Sequence, residues 1–457
     1  MMSAQAASRA RGVAQAATDA GVRRWAIATI VVVGGYMVFQ RPFAYLGVPG
    51  VPLFVGEMML AAFFVFRPQV SGHRLMMALT EPSPLGALAW SMLILVAYGL
   101  VLAIRGESAG YPKRLLVQEL VFNVYPLYIL LGIWLAEQDP RLLERFMLGL
   151  AWVNGIYGIL YIAVLNQTLL TLPGTNVLLF RSPLGQTTLL LALMAFRPKG
   201  YKMAVPFILN LVILLGIQSR ASYAGFAVGL AVWAVLSKRI GQTLAVIAVA
   251  ASLLAAAWIL DLRIEFARGA SEYSARNIAA AVIAPFDEQA AARYSEDARN
   301  FSGTTEWRKT WWAGIWDSIH STPTLTAFGP GYGFELTSTA DLRSSEDDLR
   351  TPHNWFMYAL GYGGWLGVLS FTFLLLALGH LLWRTYRLTG QAFGFAFLAS
   401  SITIATFSNY FETPYAAIPV WVIAGMAAAP ALRRPRPSPA GLQPGPASPP
   451  ARTLHSR

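Results

Sequence analysis

The 457-residue sequence contains no cysteine. That excludes disulfides, thiol nucleophiles and cysteine metal sites, and leaves the redox compartment undetermined. Charge is also scarce. Asp, Glu, Lys and Arg make up 13% of the residues, where a soluble chain carries about 25%. Outside position 353, the histidines His73, His320, His380 and His455 are scattered and form no metal cluster. The sequence has no HExxH, GxSxG or GxxxxGK(S/T) pattern. A basic stripe interleaved with aromatics is missing too, and with it the signature of nucleic-acid binding.

What remains is apolar. Hydrophobic residues make up 56% of the chain. Runs of ~20 of them recur, enough to cross a hydrocarbon core of about 30 Å. A spanning barrel would give weaker, alternating segments. The expected fold is therefore an all-α polytopic membrane bundle. Hydropathy places twelve spans at about 25–40, 50–66, 84–104, 119–136, 146–165, 183–196, 203–218, 221–236, 243–260, 354–382, 391–408 and 415–430. The sixth is short and is expected to be tilted or partial. The first follows Arg23-Arg24 without a small-residue cleavage site, so it reads as a retained helix.

The division that follows is an N-terminal segment 1–24, spans 1–9 over 25–260, a polar segment 261–352, spans 10–12 over 353–430, and a tail 431–457. Lys and Arg gather in alternate short connections: Arg67 and Arg74; Arg141 and Arg145; Arg197, Lys199 and Lys202; Lys238 and Arg239; Arg384 and Arg387. The positive-inside rule then puts both termini in the cytoplasm and the polar segment outside. The tail has seven prolines from Arg433 onward and no periodic pattern, and is expected to be disordered.

The polar segment 261–352 holds more than half of the acidic residues and is net negative, while the rest of the chain is strongly basic. Two stretches in it, 263–283 and 305–321, suit helices. The second carries Trp307, Trp311, Trp312 and Trp316, which either lie in the headgroup zone or pack the segment onto the bundle.

His353 is the first candidate for chemistry. It follows Thr351-Pro352 at the expected start of a helix, where the dipole lowers the pKa of an imidazole. A neutral imidazole suits a general base; the alternative is a capping or hydrogen-bonded loop histidine. Arg220 lies in a tight break between two short spans, on the side where arginine is disfavoured. A charge near the membrane calls for a partner or an anionic ligand, unless it snorkels to headgroups. Arg308 in Glu306-Trp307-Arg308-Lys309 offers a fork that matches phosphate oxygens. Arg181, Arg276, Arg343 and Arg350 are weaker candidates of the same type, and Lys113 and Arg114 fall on the outer side. Gly329-Pro330-Gly331-Tyr332-Gly333-Phe334 has no βαβ context, so it reads as a tight or flexible active-site loop and not as a nucleotide site. Glu346-Asp347-Asp348 reads as a solvated acidic turn before a cation site.

Ser219-Arg220-Ala221-Ser222 between two spans, then Arg308-Lys309-Thr310-Trp311-Trp312, then Gly329-x-Gly-x-Gly-Phe334 leading to His353-Asn354-Trp355, occur in that order. This arrangement, over about 203–380, resembles the bacterial O-antigen ligase and O-antigen polymerase superfamily. The resemblance implies a membrane bundle of the lipid-linked-sugar glycosyltransferase type in the bacterial inner membrane, working on its periplasmic face. It implies transfer of a glycan from undecaprenyl pyrophosphate to a glycan or lipid A core acceptor, alongside other polysaccharide assembly proteins. His353 would be the base. Arg220 and Arg308, with Arg276 as fallback and Arg181 in support, would bind the pyrophosphate. Gly331, Gly333 and Asn354 would support the acceptor or the loop. An inverting, metal-independent reaction with no cofactor is expected, because the pyrophosphate linkage carries the energy.

Two other classes compete. A transporter or flippase of lipid-linked glycans would place ionisable groups near the midplane; here Glu57 and Glu119 are the main ones within spans. A structural anchor would leave the Arg220 break unexplained. Polymerase and ligase need the same residue types, and the sequence does not separate them.

Overall fold

The computed structural model describes residues 2–47, 54–80, 83–216, 219–265, 272–284, 286–296, 298–340 and 351–432. The proline-rich tail, Arg343, Arg350 and the acidic turn Glu346-Asp347-Asp348 lie outside them. The rest is an all-α polytopic bundle. Its apolar helices are α1 (Met2–Phe39), α2 (Val55–Phe66), α3 (Gly86–Ser108), α4 (Lys113–Gln138), α5 (Leu142–Ala163), α6 (Gln186–Phe196), α7 (Tyr201–Gly216), α8 (Arg220–Ser237) and α9 (Ile240–Ile259). A polar segment follows, with strands β1 (Arg263–Glu265) and β2 (Glu272–Ser274) and helices α10 (Ala275–Ile283), α11 (Ala298–Ile319) and α12 (Pro323–Phe328). The last apolar helices are α13 (Trp355–Thr389), α14 (Phe393–Phe407) and α15 (Pro414–Ala428). Eight of the apolar helices are long and apolar enough to cross a membrane, and α2, α6, α7 and α14 are shorter. Each of the twelve hydropathy spans has its helix here.

The bundle is built around α4 and α15, whose apolar faces are mostly buried, while α9 buries little and sits at the periphery. Helices in lipid gain nothing from hydrophobic exclusion, so close backbone packing holds them together. Gly132 of α4 faces the backbone of Val422 and Gly425 on α15, and Gly425 faces the Ile129 carbonyl in return. Any side chain at either position would collide with main chain. The same device joins α8 to α14, where Gly225 and Gly229 lie against Ser400 and Ala396.

Three details differ from the sequence expectation. The stretch 263–283 is not one helix. Its first part pairs as an antiparallel hairpin, Arg263 opposite Ser274, and helix starts only where the Ser274 side chain accepts from the Asn277 N–H. The tryptophan helix begins earlier than 305, at Ala298. The tenth apolar element is 35 residues long, about 52 Å at 1.5 Å per residue, which exceeds a bilayer core. It is broken at Gly364, where φ is 57° and ψ is −160°. A Cβ there would strike the backbone of Ala327 and Gly329, so α12 wedges against the break. The short sixth helix, α6, is buried along nearly its whole length, its polar Gln186, Thr187 and Thr188 included. Lipid does not have to solvate it.

Replacing Gly132 by leucine is expected to lower the apparent melting temperature of the detergent-purified protein. The overpacking costs about 1–3 kcal/mol, whereas Gly149→Leu, where a side chain meets open space, leaves it unchanged. Fluorescence-detected size-exclusion chromatography after heating measures both.

Candidate active site

The start of α8, the end of α14 and the start of α13 meet at one end of the bundle, and α11 lies across them. Asn354 caps α13: its side chain accepts from the Phe356 and Met357 N–H groups at 2.9 and 3.2 Å. The helix therefore begins after His353, at Trp355, one residue past the expected 354. His353 is turned into the left-handed region, φ 53°, a conformation that a non-glycine residue keeps only when its neighbours over-determine it. Those neighbours are visible. Trp312 donates its indole N–H to the Pro352 carbonyl at 2.8 Å. Trp307 meets the His353 ring edge-on, centroids 6.2 Å apart.

Arg308 follows Trp307 on α11, and its guanidinium lies over the Trp307 ring at 5.5 Å. It donates to the carbonyl of Phe407, the last residue of α14, at 3.3 Å. Its Nε is buried and unpaired among the described residues. One turn earlier on α11, Thr305 accepts a hydrogen bond from the Arg220 guanidinium at 3.1 Å. Arg220 opens α8, where Ser219 accepts from the Ser222 N–H as N-cap. Arg220, Arg308 and His353 thus gather through α11.

Their electrostatics agree. Burial lowers the Arg308 pKa, and the nearby Arg220 charge adds to the effect. Burial, with Arg308 beside it, lowers the His353 imidazole to about 4. The cause differs from the helix dipole invoked from sequence: low dielectric dominates and a cation assists. The product is a neutral imidazole beside the Arg308 guanidinium, with Arg220 near Arg308, an arrangement suited to a proton acceptor next to a bound anion.

Glu412 was not singled out from the sequence. It sits in the link between α14 and α15, is 8% exposed, and faces Thr351 and the backbone of Asn354. Burial pushes its carboxyl up to about 8, against the lowering by the Thr351 hydroxyl and the Asn354 N–H. It backs the corner that carries His353. The only sequence signal was an acidic residue in the short connection 408–413.

The remaining candidates take other places. Arg276 pairs with Asp261 at 3.9 Å and lies over Trp258, at the end of α9. Arg181 lies before α6, its carbonyl accepting from the Tyr157 hydroxyl at 3.0 Å. Lys113 pairs with Glu107. Gly331 and Gly333 have φ of 98° and 84° and pack onto α3 and α4: Gly331 donates to the Tyr362 carbonyl and Tyr332 to that of Leu102. The glycine loop is a tight clamp that ties α11 and α12 to the bundle. Glu119 accepts from the Gly333 N–H and the Tyr362 hydroxyl, and Glu57 from the Tyr125 hydroxyl and the Phe54 N–H. Both carboxylates within spans are occupied in joining elements. Among the described residues no three His, Cys, Asp or Glu side chains group as metal ligands.

Because the folded His353 pKa lies below that of a free histidine, its stability contribution is complete above about 6.5. It is lost as pH falls through about 4. Histidine-labelled protein in detergent, with the His353 signal assigned from His353→Gln, is expected to give an NMR titration midpoint near 4. A midpoint at 6 or above would mean that the ring is solvated.

No curated protein matches the chain. Residues 205–372 match the family model described as O-antigen ligase. That segment contains Arg220, Arg276, Arg308, Gly331, Gly333, His353 and Asn354, and excludes Arg181 and Glu412. The match supports a membrane enzyme of surface polysaccharide assembly. Over residues 205–372 the chain is similar to the O-antigen ligase family, which supports its resemblance to the O-antigen ligase and polymerase superfamily.

Proposed function

We propose that the protein transfers a glycan from an undecaprenyl-pyrophosphate donor to an acceptor hydroxyl, at the end of the bundle where α8, α11 and α13 meet. The observation that carries this reading is the neutral imidazole of His353 beside Arg308, with Arg220 joined to the same helix. The donor is a lipid-linked diphosphate. Arg308 and Arg220 bind its phosphate oxygens, and their fixed positive charge stabilises the charge that grows on the leaving pyrophosphate. No reorganisation is needed, because the Phe407 carbonyl and Thr305 already hold the two side chains.

His353 accepts the proton of the acceptor hydroxyl as its oxygen attacks the anomeric carbon. The new carbon–oxygen bond forms while the bond to the pyrophosphate breaks. The proton ends on the imidazole and the negative charge on the departing polyprenyl pyrophosphate. In-line attack inverts the anomeric centre. Protonated His353 then faces two cations and loses its proton readily to water, since its pKa is low. The fixed corner formed by Pro352, Trp312 and Asn354 holds the base in place, so turnover does not wait for a loop to order.

In this reading the active face is periplasmic and both termini are cytoplasmic, following the Lys and Arg distribution. Arg276 and Arg181, held elsewhere by Asp261, Trp258 and the α5–α6 link, serve the approach of the anionic donor.

Proteoliposomes given an undecaprenyl-pyrophosphate glycan, with and without lipid A core, test the proposal. A ladder of longer lipid-linked chains identifies a polymerase, and a single product dependent on core identifies a ligase. No product with either acceptor rejects the transfer reaction. Changing His353 to alanine is expected to lower turnover by roughly 10²–10⁴. For Arg308→Ala the expected loss is roughly 10²–10³, and lysine at 308 does not restore it, because a point charge lacks the guanidinium fork. Full activity of a correctly inserted His353→Ala protein removes the base from the mechanism.

A further inference from the structure

At the end of the bundle opposite His353, five elements converge. The helices α6, α8 and α13 finish there, capped by Arg197, Lys238 and Gly390 in left-handed conformation. The helices α9 and α14 begin there. Between them is a cavity of about 520 Å³, within the size range of small-molecule sites. Its basic lining residues are Arg197, Arg239 and Arg387, and among the described residues no Asp or Glu lines it. Three guanidiniums around a cavity without a carboxylate give a net positive hollow.

The donors are in part unsatisfied. The Arg239 Nη1 and the Ser237 Oγ are buried without a hydrogen-bond partner among the described residues. Arg197 is otherwise used, donating to the Met194 carbonyl and to Gln242. Arg387 is exposed at the rim and makes no ion pair among the described residues. Buried polar groups in native proteins are nearly always paired; both residues line the hollow, so its wall is rich in donors and short of acceptors.

The shape narrows the chemistry. Met194, Ala195, Trp233 and Leu236 form an apolar wall next to the arginines. The hollow is many times larger than an inorganic phosphate ion. It also lies where membrane-crossing helices end, on the side that collects Lys and Arg. A ligand with an anionic phosphodiester, a glycerol-sized body and an apolar stem fits these features. Basic pockets between spans at this face bind phospholipid headgroups.

We propose that Arg197, Arg239 and Arg387 form a site for the phosphate group of an anionic phospholipid, separate from the His353 site and at the other end of the bundle. The Arg239 and Arg197 guanidiniums hold the phosphate oxygens, Arg387 closes the open side, and the acyl chains leave along the apolar wall.

The test uses the full-length protein, stripped of lipid in a neutral detergent. The probes are phosphatidylglycerol, phosphatidylcholine and sodium phosphate, with native mass spectrometry and thermal unfolding as readouts. Phosphatidylglycerol is expected to bind and to raise the melting temperature; phosphatidylcholine and sodium phosphate are not. The double variant Arg239→Gln, Arg387→Gln is expected to weaken phosphatidylglycerol binding roughly 25-fold, about fivefold for each lost charge. Arg384→Gln, an exposed neighbour that does not line the cavity, is expected to leave binding unchanged. The single Arg387→Gln variant, at an exposed position, covers the case in which the double variant does not fold, with an expected loss of about fivefold. Equal protection by sodium phosphate overturns the lipid and points to a free ion. Equal weakening by Arg384→Gln, or undiminished binding in both the double and single variants, overturns the site.

Discussion

The structure turns on the packing of one tryptophan-bearing helix onto one corner. Trp312 and Trp307 of α11 hold Pro352 and His353 from the outside, and Asn354 fixes the same corner to α13 from within. Arg308 rides on this contact, stacked on Trp307 and bonded to the end of α14. If the contact loosened, the imidazole would regain water, its pKa would rise, and the guanidinium would drift from it. The low pKa of His353 and the close approach of two cations are both consequences of the same burial.

That burial is costly, and the bundle offsets it with main-chain contacts. Glycine pairs bring α4 to α15 and α8 to α14 closely enough for backbone to touch, the usual means of association where lipid supplies no hydrophobic drive. The glycine loop after α12 serves the same end. Its left-handed residues let the chain lie against α3 and α4, with Glu119 and the Tyr362 carbonyl accepting from it. Rigid spans thereby set the position of a polar segment that lacks a large core of its own. The functional groups come from three separate parts of the chain, and the helix across them makes one site.

The two ends of the bundle carry opposite kinds of cationic chemistry. At one end two arginines and a partly buried histidine meet on one helix, the group that the proposed transfer uses. At the other, arginines surround a hollow with an apolar wall and no base, where positive charge suits a resident lipid. The separation follows from the direction of α8 and α13, each of which begins at the first site and ends at the second.

Hydropathy in the sequence determined the twelve apolar helices, because a bilayer-length run of apolar residues has few other ways to satisfy its backbone. The candidates themselves were also legible, since His353, Arg220 and Arg308 stand in ordered motifs, and the structure brings all three to α11. Other features were not. The break at Gly364 depends on Ala327 and Gly329, which are distant in sequence, and the pairing of β1 with β2 leaves no helical period to read. The left-handed turn at His353 depends on Trp312 and Asn354, and no local pattern announces it. Glu412 looked like an ordinary loop carboxylate; only burial against Thr351 and Asn354 gives it a perturbed pKa. Arg276 was the weaker candidate and the fallback to Arg308, and packing separated the two, one to Asp261 and the other to the histidine. Composition and local pattern fix which segments leave water, but which charged side chains end up adjacent is decided only when those segments pack, because Coulomb and desolvation energies depend on distance and burial rather than on sequence order.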